Sequence, residues 1–590
     1  MILQELARLY ERRSRDPDPA RRLPSPGLEE KEIPFVVELR ADGSVVQIRD
    51  TRSLDGKKLR GRSFLVPQGI KKTSGVAANL LWDTAEYVLG ASSKAKPERL
   101  QEQQQAFKQR VQSLHQSIQP PDAGLSAVLA FLDAPDLSAQ RGTPLWDELV
   151  LSNPLLSFEL QGDDAGLVCQ RPEVVRAVLS AAGGAEAEAG QAMCLVEGQV
   201  LPVERLHSAI KGVWGAQSSG ANIVSFNLDA FNSYGKQQGG NAPVSAHAAF
   251  AYTTALNALL ERDSRNRVQI GDSSTVFWAD ADNRFDAEFT LADFFGEPKA
   301  DNPDRGREAV KALYQALRSG HLPEAEAKAR FFVLGLAPNA ARISVRFWLP
   351  GVPFAELAPR ILQHFDDLRM VRRFDSDPEH PSLFRLLSSL ALQGKLDNVP
   401  PRLAGEWMRA ILDGTPLPAV LLNAAVMRCK AEQDVSYLRA CVLKAWLNRH
   451  ARAQQQPRPD SQHFKEELDM SQAEPAYRLG RLFAALERIQ EQAQPGINAT
   501  IRDRYYGAAS TTPVAVFTTL LRLKNAHLKK LPQPQLVFFE KLIGEILEPL
   551  QGFPRQLQLA EQGQFALGYY HQRQAFYAKR SNESQDIKEA

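Results

Sequence analysis

The sequence predicts an α+β fold in which a mixed α/β N-terminal part with hairpins is followed by an all-α C-terminal helical bundle. Three observations carry this expectation. β-rich runs flanking turn dipeptides occur up to residue 350. Leu/Ala-rich helical segments replace them beyond Asp375. A polar, Gln- and Pro-rich stretch without periodicity, ARAQQQPRPDSQ (residues 451–462), reads as a linker. The expected organisation is a mixed part over 1–370, a helical segment over 371–450, the linker over 451–462 and a bundle over 463–590.

In chain order, MILQELARLYERRSRDPD is an amphipathic helical start, and FVVELRADGSVVQIRD (Phe35–Asp50) is a hairpin turning at Asp42-Gly43. Ser245 is placed to cap a helix through HAAFAYTTALNALLER, and Asp304 another through REAVKALYQALRS. A second hairpin is expected over Ala329–Pro350 with its turn at Pro338-Asn339. In its second strand the period of two sets Arg342 and Arg346 on one face, which is either solvated or meets phosphate. Segments such as AGEWMRAIL and SYLRACVLKAWLNRH are helical, as are stretches at about 475–493, 513–529, 534–550 and 556–577, broken at Gly496, Pro532 and Pro554. Ser471 and Glu474 have capping-box spacing, and Thr512-Pro513 suit the N-cap and first turn of a helix.

At 590 residues the chain exceeds what one hydrophobic core serves, so several domains are expected. No apolar run reaches the roughly 18 residues of a membrane span, and the N-terminus lacks a signal-peptide core, so a cytoplasmic location is expected. Cys169, Cys194, Cys429 and Cys441 are too scattered for disulfides or C-x-x-C zinc sites and read as buried thiols. The net charge of +2 argues against wholesale wrapping of nucleic acid and turns attention to local patches. Residues 51–110 carry 12 Lys/Arg against 5 Asp/Glu, and residues 471–590 carry 15 against 11, so these two stretches are where phosphate contacts are expected.

Catalytic motifs are missing: there is no G-x-S-x-G, H-E-x-x-H, P-loop or G-x-G-x-x-G. His364, Asp366 and Asp367 come closest to a metal cluster, but positions i and i+2 of a helix diverge, and a solvated helix end is the expectation. No metal, cofactor or enzymatic activity is therefore expected. The informative stretches are polar. IKGVWGAQSSGANIVSFN and LDAFNSYGKQQGGNAPVS place Gln217, Ser218, Ser219, Asn232, Lys236, Gln237, Gln238 and Asn241 on glycine-rich backbone. Such side chains can pair with base edges, or simply build elaborate turns. LDGKKLRGRSFLVPQGIKKTSGVAANLLWD concentrates Lys57, Lys58, Arg60, Arg62, Lys71 and Lys72 beside Thr73, Ser74 and Asn79, enough charge to neutralise several phosphates, or else a solvated loop. In the bundle, Arg502, Arg504, Lys529 and Lys530 lie near Tyr505 and Tyr506, a pattern that suits a single strand or a basic rim around core tyrosines.

KKTSGVAANLLWDTAEYVLG, SFNLDAFNSYGKQQGGNAPVSAHAAFAYTTALN, VLGLAPNAARISVRFW, NATIRDRYYGAAS and GYYHQRQ occur in an order and spacing that resemble the large subunit of type I-C CRISPR interference complexes, from the first residues to Gln574. The resemblance implies a non-catalytic subunit that sits with guide-RNA-bound backbone subunits and a guide-end subunit. It further implies recognition of the protospacer-adjacent motif in double-stranded DNA, help in opening the duplex, retention of the displaced single strand and docking of a helicase-nuclease. It also implies that the C-terminal bundle is similar to the small subunit, which can be translated separately from an internal start. Met470 follows the linker and is the candidate start, with Lys465-Glu466-Glu467 able to encode a ribosome-binding sequence and Met427 the weaker alternative. The competing readings are a scaffold that touches protein only and a metal-dependent nuclease.

Overall fold

Residues 1–18, 21–55, 58–70, 75–184, 190–217, 219–281, 291–297, 304–318, 327–400, 402–454 and 464–586 are described by a computed structural model. The chain forms two units, one of Met1, Leu3–Ser208 and Val224–Leu256, the other of Ile2, Ala209–Ile223 and Asn257–Ala590. The stretch 1–370 thus contributes to both.

The first unit contains the helices α1 (Ile2–Arg13), α2 (Ala85–Val88), α3 (Pro97–Ser117), α4 (Ala123–Asp133), α5 (Pro144–Ser152) and α6 (Pro172–Gly184), with the start of α7 (Ala246–Leu260). Its strands are β1 (Leu28–Ile33), β2 (Phe35–Leu39), β3 (Val45–Asp50), β4 (Ser53–Asp55), β5 (Lys58–Arg60), β6 (Arg62–Pro67), β7 (Trp82–Thr84), β8 (Leu155–Leu160), β9 (Gln191–Met193) and β10 (Val200–Pro202). The Asp42-Gly43 hairpin forms as expected, pairing Phe35 with Asp50. Gly43 is required twice over: its φ is +84°, and a Cβ there would lie 2.6 Å from Ala130 Cβ and from the Phe131 nitrogen on α4. A four-stranded sheet of order β3-β2-β8-β7 follows, in which β8 runs parallel to β2. Phe158 of β8 packs against Phe107 of α3 and Phe131 of α4, with ring centroids 6.1 and 5.9 Å apart, and centres the core. Ser245 caps α7 as expected, its hydroxyl accepting from Ala248 N–H.

The second unit is built on a four-stranded antiparallel sheet of order β11-β12-β13-β14, from β11 (Arg267–Ile270), β12 (Ser273–Ala279), β13 (Arg330–Asn339) and β14 (Arg342–Pro353). Around it lie α8 (Leu291–Phe295), α9 (Arg305–Arg318), α10 (Phe354–Leu368), α11 (Leu383–Leu390), α12 (Leu403–Asp413), α13 (Ala419–Glu432) and α14 (Tyr437–Ala453). Then come α15 (Pro475–Ala493), α16 (Ile501–Ala509), α17 (Pro513–Leu528), α18 (Gln533–Leu547) and α19 (Leu559–Asp586). The fold class is α+β, as the sequence predicts.

Several local expectations are corrected. The second hairpin turns at Ala340-Ala341, with Ala340 at φ +53°, not at Pro338-Asn339. Pro338 stays in the strand opposite Ile343, whose N–H goes to the Asn222 carbonyl, so the proline's missing donor costs nothing there. Helix takes over at Phe354 rather than beyond Asp375. α14 runs through Ala453, into the expected linker, of which residues 455–462 lie outside the described ones. Ser471 does not cap α15: its hydroxyl donates to Asp469 Oδ1 at 2.6 Å, and Glu474 holds the N-cap position. Thr512 and Pro513 do open α17. An additional helix, α16, is started by Thr500, whose hydroxyl accepts from Arg502 N–H while Asp503 accepts from Thr500 N–H.

The bundle helices do not form a core of their own. One continuous cluster runs from Val268 on β11 to Tyr570 on α19. α15 and α19 approach so closely that a Cβ on Gly480 would lie 2.0 Å from the Phe565 carbonyl, and one on Gly568 2.0 Å from that of Tyr477. From α19, the Tyr570 hydroxyl donates to the Val371 carbonyl (2.8 Å), and His571 meets the Tyr477 hydroxyl (2.8 Å) and Met370 Sδ (3.0 Å).

His364 corrects the expectation of a solvated helix end. It is 1% exposed among Phe295, Phe365 and Trp407, and Asp367 is buried against Arg452 at 2.5 Å, while Asp366 accepts from the Tyr314 hydroxyl. Burial, reinforced by Arg449, pushes the His364 pKa down to about 3; burial, reinforced by Lys444, does the same to His571. Both folded values lie below the unfolded 6.5. The unfolded chain therefore binds protons that the folded chain refuses, and stability is complete above pH 6.5 and lost as pH falls towards 3. At pH 5 each histidine should cost about 2 kcal/mol. Among the described residues neither ring nitrogen of His364 has a hydrogen-bond partner, so His364→Phe should remove about 2 kcal/mol of the acid penalty. Urea denaturation at pH 7.5 and 5.0 measures it, and an unchanged difference between the two pH values would refute the assignment.

Candidate nucleic-acid interface

The basic stretch of the first unit is carried by two small ladders. β4 pairs with β5 and β1 with β6, both antiparallel. Lys58 and Arg62 are exposed, Arg62 lying over the Phe64 ring at 5.2 Å, whereas Arg60 is ion-paired with Glu32 at 2.9 Å. Lys57, Lys71, Lys72, Thr73 and Ser74 lie outside the described residues. Leu54 and Leu59 are cross-strand partners and are 76% and 58% exposed, an apolar pair that the sequence reading passed over.

Asn79 has a different place from the one its polar neighbourhood suggests. It is 5% exposed, its Oδ1 accepts from Ile70 N–H (3.1 Å), and its own N–H donates to Asp83 Oδ2 (2.8 Å). Arg110 reaches the neighbouring Ala78 carbonyl at 2.7 Å, and Trp82 Nε1 donates to the Pro67 carbonyl. Asn79 therefore clasps the base of the segment that carries Lys71 and Lys72.

The two glycine-rich stretches fall in different units. In the first unit, Asn241 spends its amide inside its own loop: Nδ2 donates to Asn232 Oδ1 (3.1 Å) and to the Gln238 carbonyl (3.0 Å), and Oδ1 accepts from Ser233 N–H (2.9 Å). Asn232 and Asn241 thus shape the loop, Gln238 is half-buried, and Lys236 and Gln237 are exposed on it. Tyr234, 98% exposed at φ +52°, was not flagged by composition.

In the second unit, Gln217 is exposed and Ser218 lies outside the described residues. This stretch is joined to the β13–β14 hairpin, because Asn222 N–H donates to the Ala341 carbonyl (3.3 Å) and the Asn222 carbonyl accepts from Ile343 (3.0 Å). The structure thereby brings the Gln217 loop and Arg342 to one end of the sheet. Arg346 is neutralised by Asp272 at 2.8 Å.

In the bundle the expected cluster separates by burial. Tyr506 is 2% exposed, in the core with Phe483, Phe565 and Tyr569, which removes it from any surface role. Arg502 is held among Glu487 (3.6 Å), Asp434 (3.7 Å) and Asp503 (4.0 Å). Tyr505 is half-buried, while Arg504, Lys529 and Lys530 are exposed. No acidic residue occurs between Asp503 and Glu540, so Arg522, exposed on α17, extends this basic run and was missed. Among the described residues no group of three or more His, Cys, Asp or Glu is placed to hold a metal ion, and no helix is long and apolar enough to cross a membrane. All four cysteines are free and buried.

The family model described as CRISPR-associated protein (Cas_Csd1) matches residues 6–577, and the chain belongs to that family. It is accordingly a CRISPR-associated protein of the kind found in multi-subunit CRISPR effector complexes. No individually curated protein matches it.

The structural role of Asn79 yields a prediction. Asn79→Ala should lower unfolding stability by about 1 kcal/mol relative to the native chain, because Ile70 N–H loses its acceptor. Urea midpoints of the variant and the native chain check this, and equal midpoints would contradict the clasp.

Proposed function

We propose that the chain is the large subunit of a type I-C CRISPR RNA-guided complex. In this reading it recognises the protospacer-adjacent motif in duplex DNA, promotes unwinding, stabilises the R-loop and helps recruit the helicase-nuclease, while itself catalysing nothing. Its partners are the guide-RNA-bound backbone subunits, the guide-end subunit, the target duplex and its displaced strand. The observation that carries the reading is the family match over nearly the whole chain. Exposed Lys58 and Arg62 on the ladders, with Lys71 and Lys72 after them in the sequence, supply the phosphate contacts, and Gln217, Lys236 and Gln237 are the exposed polar candidates for base edges.

Exposed Leu54 and Leu59 favour a second reading, in which this hairpin docks on protein and the chain is a scaffold. Salt dependence separates the two. Lys58→Ala, Arg62→Ala and Lys72→Ala should each weaken capture of target duplex by the assembled complex and reduce the slope of log K against log salt by about one. The complex should stay intact in gel filtration. A slope unchanged in all three variants would favour the scaffold.

The bundle α15–α19 is proposed to resemble the small subunit and to be made separately from Met470, which is exposed just ahead of α15. Such a product would lack Met370, Val371 and Asp434, on which His571, Tyr570 and Arg573 rest in the full chain, and would need another surface for that face. Met470→Leu should abolish the short product while leaving the full chain, as read by immunoblotting with an antibody to the C-terminus. Persistence of the short band would exclude Met470 as the start.

A further inference from the structure

Trp214 is 63% exposed, yet the loop that carries it is firmly bonded. Lys211 N–H donates to Asn257 Oδ1 (2.8 Å), and Asn257 Nδ2 donates to the Ala209 carbonyl (3.2 Å). Ile210 and Ala221 exchange two backbone hydrogen bonds of 2.8 and 2.9 Å. Ala216 N–H closes onto the Val213 carbonyl (3.1 Å) with Gly215 at φ +76°, so Trp214 holds the second position of a type II turn. Its own N–H is consumed by Ser274 Oγ on β12 (2.9 Å), and Ser274 in turn donates to Gln269 Oε1 (2.8 Å). On either side, Val213 is buried, and a Cβ on Gly215 would touch Pro338 Cγ at 3.3 Å. A large apolar ring is thus held in water by a preorganised turn, which lowers the entropy lost when something covers it.

The surroundings choose the occupant. Lys211, Gly212, Gly215, Gln217 and Ser219 are all exposed, and Lys211 is the one charged residue from Ala209 to Ile223. A protein anchor of this size usually sits within a rim of further contact side chains that exclude water. A ring amid small and polar groups, on a segment with one cation and no acid and with Arg342 at the same end of the sheet, offers a flat face to a flat ligand with polar edges and an anionic backbone.

We propose that Trp214 is a stacking platform for an unpaired nucleobase of DNA, with Gln217 and Lys211 beside it for edge and phosphate. The proposal rests on reading the chain as a DNA-engaging subunit and adds a contact that the basic ladders do not supply. The probe is a labelled oligodeoxythymidine titrated into the purified full chain. Trp214→Ala and Trp214→Leu should weaken binding about tenfold, within the range for one stacked base, and Trp214→Phe should retain most of it. Binding should quench tryptophan fluorescence in the native chain, and this quench should shrink in Trp214→Phe although binding persists.

Unchanged affinity in Trp214→Ala with the quench intact would overturn the proposal. So would unchanged oligonucleotide binding with loss of a partner subunit from the complex, which would make the ring a protein anchor. A fall in melting temperature matching the loss of binding would assign it a structural role and reject the platform. Duplex capture that keeps its Lys58 and Arg62 salt dependence in Trp214→Ala leaves the functional reading standing whichever way the oligonucleotide result falls. A native chain that takes up no oligonucleotide, in an assembled complex that captures no duplex, removes both.

Discussion

A helix that ends inside a protein leaves its last carbonyls without donors, and in the second unit cationic side chains from other elements meet that need. Lys444 of α14 donates to the Asp367 carbonyl at the end of α10, and Arg439 to Ser389 at the end of α11. Arg360 and Arg449 converge on Leu412 and Ala410 of α12, Arg478 of α15 reaches Glu545 of α18, and Arg267 of β11 takes the Leu260 carbonyl of α7. Each bond fixes where one helix stops and how its neighbour lies against it. Removing one such cation would strand a buried carbonyl, and keeping it there requires desolvating a charge, which is why Lys444, Arg449 and Arg478 are all held below their ordinary pKa by burial.

This constraint changes how basic residues are to be read. The excess of cations over residues 471–590 resembles a nucleic-acid surface, but Arg478 and Arg481 are interior, and Arg502 and Arg573 are engaged around Glu487, Asp434 and Tyr569. Among the described residues, the cations left at the surface include Arg504, Arg555 and the acid-free run through Arg522, Lys529 and Lys530, while exposed Lys541 is paired with Glu545. In the first unit, by contrast, Lys58 and Arg62 sit on ladders too small to bury them.

The hairpin at Asp42-Gly43, the caps at Ser245 and Thr512-Pro513, and the replacement of strand by helix were legible because each is written in local chemistry. The parallel pairing of β8 with β2 was not, since a short run such as LLSFEL acquires meaning only from a partner far away in the chain. Burial was equally hidden. His364, Asp367 and Asn79 have the composition of surface residues, and it takes the packed helices or a clasped loop to enclose them. α16 was legible in principle, because Thr500 and Asp503 have the capping spacing, though charge and aromatic residues dominate that stretch. Trp214 was passed over because nothing in a sequence distinguishes a ring held out on a pinned turn from one in the core.

The last helix carries a consequence for synthesis. Tyr570 and His571 close against Val371 and Met370, so contacts near the start of the helical part wait for residues 199 and 201 positions further along the chain. Until then the faces of α13, α14 and α15 that α19 will cover stay open on the nascent chain. Ribosome stalling or truncation ahead of Leu559 would leave that apolar surface exposed to chaperones, whereas the first unit's sheet has its full complement of strands once Leu160 has emerged.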